Sequence, residues 1–361
     1  MENNLKLIVF ENCREFGELV DKHLQDITGE KGSFIIPIDE VRFNNGEGKI
    51  VIKETVRKKE IFLLSDIGNH SITYKMFGYI NHKSPDDHFQ DVIRALCAIR
   101  DQAHSTSLVM PLLYSSRQHK REGRESLDCA VALQTLKEKG IKNIITFDVH
   151  DSNVQNAIPC SSFDNFYPTN IILEQFVENE ELDNSKLLAV APDSGAIKRT
   201  NFYANMLGCE FGGHFEKQRD LYRVVDGKNP ILKHEYIGKP VKNKDIIIVD
   251  DMIASGESMI DVARELKKRG AKQIFMMSAY SLFTKGIDVF QEAYDEGLFT
   301  RLYTTNLSYV PEEALKKDWV KQVDCSDYVA KIIYTFYLGK SVSPILTYKS
   351  GKLEDFAKNK D

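Results

Sequence analysis

The densest chemistry in the sequence lies in one run, Ile246-Ile247-Ile248-Val249-Asp250-Asp251-Met252-Ile253-Ala254-Ser255-Gly256-Glu257-Ser258-Met259. Its β-branched opening predicts a strand buried on both faces, as in parallel sheets. The carboxylates of Asp250 and Asp251 follow where that strand is expected to end. Small residues around Gly256 then lead into a helix, because Met259, Val262, Ala263 and Leu266 recur at helical spacing and Gly270 supplies a C-terminal cap. Free N–H groups at a helix start, together with the helix dipole, attract an anion. Ser255 and Ser258 add hydroxyl donors. The two acids repel a phosphate and suit sugar hydroxyls or a hydrated Mg²⁺ instead. These residue types together point to a sugar-phosphate site. A bare acid pair has a competing reading, a crossover loop whose carboxylates only cap the helix.

Other charged groups fall at comparable places. The loop Tyr114-Ser115-Ser116-Arg117-Gln118-His119-Lys120-Arg121-Glu122-Gly123-Arg124 follows a predicted strand, the edge where open α/β sheets bind ligands. Arginine forks match polyphosphate oxygens, although a charge run alone is usually a solvated loop. His150 and Asp193 close two further predicted strands and, with Asp250 and Asp251, are expected to reach one cleft. His150 reads as a nucleotide or Mg²⁺ contact against a purely structural alternative. The polar segment from Phe215 to Lys244 reads as a lid carrying Lys217 and Arg219, or as a hairpin arm around Arg223-Val224-Val225. The turn Arg42 to Gly48 reads only as a hairpin.

The elements that must position these groups alternate between the two periodicities. Strands are expected at Leu5–Phe10, Phe34–Ile38, Lys49–Ile52, Ile61–Leu64, Ser107–Leu113, Asn143–Phe147, Leu187–Ala191, Gln273–Tyr280 and Arg301–Thr304, the last of them. Helices are expected over 16–24, 86–100, 126–137, 169–176, 197–207, 289–294 and 328–338. Asn69 to Pro85 reads as an insertion or long loop, Ile158 to Pro168 as a crossing between domains, and the tail from Lys349 as frayed. This order predicts an α/β protein of two domains, and 361 residues suffice for two cores. A net charge of −5 argues against a generic nucleic-acid binder. No apolar run reaches the roughly 18 residues of a membrane span, and no signal peptide is evident. Six cysteines without a C-x-x-C pair point to free thiols in a reducing cytoplasm, not a disulfide frame or zinc site.

Taken in series, the motifs Arg42-Phe43-x-Asn45-Gly46-Glu47, Ser116-Arg117-Gln118-His119-Lys120-Arg121, Asp148-Val149-His150, Pro192-Asp193-x-Gly195, Lys217-x-Arg219 and the Asp250–Ser258 run resemble the ribose-phosphate pyrophosphokinase (PRPP synthetase) family. Phe163-Asp164-Asn165-Phe166-Tyr167 resembles the family's domain junction, and Thr305-Asn306-Leu307 the segment before its last helix. Ala254 and Glu257 depart from the synthetase pattern, which carries Asp and Gly there. The resemblance implies two similar phosphoribosyltransferase-like domains, 1–165 on the ATP side and 166–320 with the ribose 5-phosphate motif, and an active site between them. A return helix and polar tail would follow at 321–361. It implies diphosphoryl transfer from Mg·ATP to O1 of ribose 5-phosphate, giving AMP and PRPP, in a cytoplasmic homo-oligomer, dimer or hexamer, without nucleic-acid or membrane partners. On this resemblance Phe43, Asn45, Glu47, Arg117, Gln118 and His150 bind ATP, and His150 and Asp193 hold Mg²⁺. Asp193, Asp250, Asp251, Ser255, Gly256, Glu257 and Ser258 bind ribose 5-phosphate, and Lys217 and Arg219 are catalytic. Two rivals are a phosphoribosyltransferase that consumes PRPP, and a catalytically silent regulatory relative of the synthetases.

Overall fold

A computed structural model describes residues 4–121, 123–219, 231–346 and 351–358, without the side chains of 217–219 and 231–234. The chain divides into two compact units. One takes Met1–Pro168, Asn306–Tyr309 and Asp324–Thr347; the other takes Thr169–Thr305, Val310–Val323 and Tyr348–Asp361.

The first unit contains β1 (Leu5–Val9), β2 (Ile38–Arg42), β3 (Gly48–Ile52), β4 (Glu60–Leu64), β5 (Thr73–Met76), β6 (Tyr79–His82), β7 (Ser105–Val109), β8 (Asn143–Phe147) and β9 (Ser162–Phe166). A five-stranded sheet runs β1-β4-β7-β8-β9 with every pair parallel. β4, β7 and β8 bury four of their five residues each, as expected where helices cover a parallel sheet on both faces, whereas the edge strand β9 is only partly buried. The helices α1 (Arg14–Thr28), α2 (Pro85–Ile99) and α3 (Asp128–Glu138) precede β2, β7 and β8. The helix Ser326–Tyr337 returns to pack on α1. A buried carboxylate fixes the other returning piece: Asp66 accepts from Gly68 N at 2.9 Å, Ser308 Oγ at 2.8 Å and Tyr309 N at 2.7 Å. Burial pushes the pKa of Asp66 up to about 6, and the hydrogen bonds oppose that rise.

Three expectations for this unit change. Phe34–Ile38 is not a strand; only Ile35 bridges Leu7. Proline at position 37 has no N–H to donate, and Ile38 already opens the β2–β3 hairpin. Asn69–Pro85 is not a structureless loop but holds the β5–β6 hairpin, turned at Phe77 and Gly78 with φ of 49° and 85°. Both positive values are those of a tight primed turn, whose sequence signal is weakened by phenylalanine at the first position. The crossing segment contributes β9, the sheet's fifth strand.

The second unit contains β10 (Leu187–Ala191), β11 (Glu210–Arg219), β12 (Ile231–Gly238), β13 (Asp245–Ile253), β14 (Gln273–Ser281), β15 (Arg301–Thr305) and β16 (Val320–Val323). They order as β12-β11-β10-β13-β14-β15-β16, and only β12 is antiparallel. The helices α4 (Thr169–Asn179), α5 (Ile197–Leu207), α6 (Glu257–Lys268) and α7 (Asp288–Asp295) flank the sheet. Alternate residues of β13 feed opposite cores. Ile246 and Ile248 pack with Met259, Val262 and Phe290, whereas Ile247 and Val249 pack with Phe176, Tyr203 and Leu207. All four are fully buried, so an unbroken β-branched run is what this strand requires.

Of the two readings of the Phe215–Lys244 segment the described residues support the hairpin arm, since β11 and β12 pair antiparallel; Arg223-Val224-Val225 lie outside the described residues. Two other expectations change here. Arg301–Thr305 is not the last strand, since β16 pairs beside it. The polar tail is not frayed throughout. It forms a helix, Gly351–Lys358, whose Leu353 is fully buried beside Ile172 and Phe176. Asn184 Nδ2 donates to Phe356 O at 2.9 Å, and a Cβ at Gly208 would stand 2.4 Å from the Ala357 carbonyl oxygen. Two packed apolar residues, Leu353 and Phe356, on a short and otherwise largely polar helix are too weak a pattern to read from sequence.

Candidate active site

In the second unit, the carboxyl ends of β10 and β13 are neighbours. They bring Asp193, Asp250 and Asp251 together. β13 does not stop at the acids, as expected, but runs on to Ile253 because β14 extends equally far and pairs Asp250 with Ser278 and Ile253 with Ser281. The two carboxylates nevertheless converge, since one Arg199 nitrogen lies within 4.0 Å of both. Asp250 is partly exposed and Asp251 is buried. Arg199, on the first turns of α5, lies 4.0 Å from Asp250 Oδ1 and 3.8 Å from Asp251 Oδ1. Desolvation raises the Asp250 pKa well above the usual carboxylate range, the Asp251 and Asp193 charges add to it, and Arg199 opposes them. Asp193 is oriented by the Ala196 N–H, which donates to its Oδ1 at 3.1 Å.

The turn that follows is shaped by Gly256, the residue before α6, at φ 82°. A side chain there is excluded twice: by the left-handed backbone, and by Phe290, whose Cζ would lie 2.0 Å from an added Cβ. Two backbone bonds fix the approach, Leu282 N to Ile253 O at 2.8 Å and Thr284 N to Ala254 O at 2.9 Å. The exposed Ser258 and half-buried Ser255 flank the first turn of α6, as an anion site needs. Glu257 is turned aside: its Oε1 takes Lys285 Nζ at 2.6 Å and its Oε2 takes Ser255 Oγ at 3.4 Å. The charge beside the turn is thus largely offset.

Lys217 and Arg219 lie on β11 opposite His234 and Ile231. β10 pairs with β11 only as far as His214, so this stretch continues past the sheet at the same edge as Asp193. The side chains of Lys217 and Arg219 lie outside the described residues.

In the first unit, Arg117 and Gln118 sit on the loop after β7, and His150 follows the neighbouring β8. The His119 and His150 rings stand 5.4 Å apart, and His119 Nε2 lies 3.3 Å from Asp151 Oδ2. Phe43, Asn45 and Glu47 occupy the β2–β3 turn. Asn45 Nδ2 donates to Glu47 Oε2 at 2.9 Å, and the Glu47 N–H donates back to Asn45 Oδ1 at 3.2 Å, so the carboxylate is held in place. The Phe43 ring is 46% exposed, with Lys49 Nζ 5.8 Å from its centroid.

Three supports escaped the sequence reading. Arg199 is the cation of the acid cluster; its signal was its position one turn and a half after Asp193. Lys285 partners Glu257 from a segment 28 residues away and left no local signal. The first turn of α2 serves two loops: Asp86 accepts from Tyr114 Oη at 2.7 Å, and Asp87 accepts from Arg42 Nη1 at 3.2 Å. All six cysteines are free thiols, as expected. No helix among the described residues is long and apolar enough to cross a membrane.

Known proteins bear on this arrangement. Residues 5–140 match the family model of the N-terminal domain of ribose phosphate pyrophosphokinase, and residues 170–308 match that of the phosphoribosyl transferase domain. The ribose-phosphate pyrophosphokinase of Mycoplasmopsis pulmonis is 26% identical over 324 residues, covering 89% of this chain and 92% of its own. That of Mycoplasma genitalium is 28% identical over 311 residues, 84% of each chain. The crystal structure of phosphoribosylpyrophosphate synthetase from Mycobacterium smegmatis matches with a TM-score of 0.76 at 20% identity, over 93% of this chain and all of that one, which shows a common fold. With two domain models matched in order and relatives aligned nearly end to end, the chain belongs to the ribose-phosphate pyrophosphokinase family.

Proposed function

We propose that this protein is a ribose-phosphate diphosphokinase, which transfers the diphosphoryl group of ATP to O1 of ribose 5-phosphate and releases AMP and PRPP. The observation that carries the reading is the edge of the second sheet. There the acids of β10 and β13 lie next to an open helix start shaped by Gly256. A sugar phosphate presents one ester anion and several hydroxyls, and this edge offers N–H donors beside carboxylate acceptors.

In this reading the turn Ser255–Ser258 cradles the 5-phosphate, and Asp250 and Asp251 accept from the ribose hydroxyls. A sugar hydroxyl donating to Asp250 favours its charged form and so opposes the rise that burial causes. Arg117 and Gln118 bind the ATP phosphates. Phe43 offers a flat face to the base, and Glu47, fixed by Asn45, accepts from it. Lys217 and Arg219 neutralise the transferring group, since phosphoryl-type transfer asks a protein chiefly for positioning and countercharge. Mg²⁺ is assigned to His150 in the first unit and to Asp193 in the second, each as a contact beside water and substrate phosphates; among the described residues no three His, Cys, Asp or Glu side chains group around a metal position. When bound, that ion offsets phosphate charge. We further assign the first unit to ATP and the second to ribose 5-phosphate, and the working form to a cytoplasmic homo-oligomer.

The test is AMP release from ATP and ribose 5-phosphate with Mg²⁺ and no nucleobase. Product with an acid-labile diphosphate at C1 supports the proposal. Turnover only when a base and PRPP are supplied makes the protein a transferase, and no turnover makes it a silent relative.

A further inference from the structure

An isolated two-stranded ribbon is marginally stable and does not hold its own turn in one shape, yet the β2–β3 turn is held from two sides. The first hold is Arg42, whose side chain is 9% exposed. Its Nη1 donates to the Gly46 carbonyl inside the turn at 3.2 Å and to Asp87 Oδ1 at 3.2 Å. Its Nη2 donates to Asp91 Oδ2 at 2.9 Å. One guanidinium thus ties the turn to α2, and its plane lies 5.1 Å from the Tyr74 ring centroid. Asp91 also takes Lys83 Nζ at 3.2 Å and Arg94 Nη1 at 2.7 Å, and Lys83 bonds Glu40 Oε2 at 2.9 Å. The second hold is the β5–β6 hairpin. Phe77 N donates to the Asn44 carbonyl at 2.8 Å, and Met76 Sδ would be 2.6 Å from a Cβ at Gly46.

We propose that Arg42 is a positioning residue for the nucleotide, and that the β5–β6 hairpin is the second jaw of the same clamp. The proposal deepens the functional reading above and rests on its assignment of the Phe43–Glu47 turn to ATP. A buried ionic cluster adds little net stability over well-packed apolar residues, so its value here is geometric. Arg42 grips the carbonyl of Gly46, the residue between Asn45 and Glu47. Moving that carbonyl rotates the peptide carrying Glu47 and disturbs the Asn45–Glu47 pair. Lysine keeps the charge but lacks the planar fork, and cannot make the Gly46, Asp87 and Asp91 bonds from two separate nitrogens at once.

The experiment measures Kd for ATP and, separately, for ribose 5-phosphate by calorimetry on the full-length protein, with the melting temperature of each variant. Arg42→Lys is expected to weaken ATP about tenfold, as loss of a charge-assisted bond does, and to leave ribose 5-phosphate within about twofold. Tyr74→Leu, which keeps every ion pair, is expected to weaken ATP about threefold. Unchanged ATP affinity in Arg42→Lys overturns the proposal. So does an equal loss for both ligands together with a lowered melting temperature, the signature of a merely structural cluster. Phe43→Ala separates the two levels. If it leaves ATP binding intact, the turn is not a nucleotide contact and the underlying reading fails; if it weakens ATP while Arg42→Lys does not, only the clamp fails.

Discussion

Gly256→Ala tests the phosphate turn most directly. The new methyl group must adopt φ near 82°, where L-residues are penalised by about 1–2 kcal/mol. It must also enter the space of Phe290, with Cζ at 2.0 Å and Cε2 at 2.4 Å. That ring cannot retreat. It is fully buried, stacks on Trp319 at 5.9 Å and meets Phe283 edge-on at 5.1 Å. Overpacking of such a core costs about 1–3 kcal/mol more, for roughly 2–5 kcal/mol in all. At about 2–4 °C per kcal/mol for a unit of this size, the melting temperature should fall by roughly 4–20 °C. Affinity for ribose 5-phosphate should drop tenfold or more, because the donors of the turn are displaced. The Phe290→Leu background supplies the check. With the ring gone, Gly256→Ala should retain only its backbone cost, so the double variant is less destabilised than the two single costs added. An identical cost in both backgrounds, or a cost under about 0.5 kcal/mol in either, would refute the steric argument.

Lys217→Ala should lower kcat by about 10²-fold or more with little change in either Kd, since a transition-state cation acts on the transferring group alone. Lys285→Ala leaves Glu257 uncompensated beside the phosphate turn; KM for ribose 5-phosphate should rise a few-fold, Glu257→Gln should reverse it, and stability should stay within about 0.5 kcal/mol because the pair is exposed. Asp66 adds a pH dependence. Its folded pKa of about 6 exceeds the ordinary 3.8, so its contribution to stability is fully present below pH 3.8 and is lost as pH rises through 6. The loss is about 3 kcal/mol for a fully buried group, and denaturant titrations at pH 4.5 and 7.5 should show a slope that Asp66→Asn flattens.

Legibility followed the locality of each signal. β10 and α5 were readable to the residue, because an apolar run ends at Pro192 and a helical pattern ends at Gly208. The acid pair, Gly256 and the α6 pattern were readable for the same reason. β13 was placed but ended too early, since what prolongs it is β14, a partner in space. The β5–β6 hairpin was hidden because Phe77 is an uncommon residue at positive φ, and its strands are too short and exposed to alternate clearly. Arg42 was visible as a letter in a motif, but its bond to Asp91 spans 49 residues and nothing local announces it. The helix Gly351–Lys358 was missed because only Leu353, helped by the half-buried Phe356, carries its burial.

Both units are closed by late-synthesised chain: Ser326–Tyr337 covers α1 near the amino terminus, and Gly351–Lys358 caps the α4–α5 side of the other. Neither hydrophobic interior is complete until its closing helix has been made. Nascent chains should therefore expose oily surface up to that point, so slow assembly, chaperone dependence and intolerance of losing either helix share one topological cause.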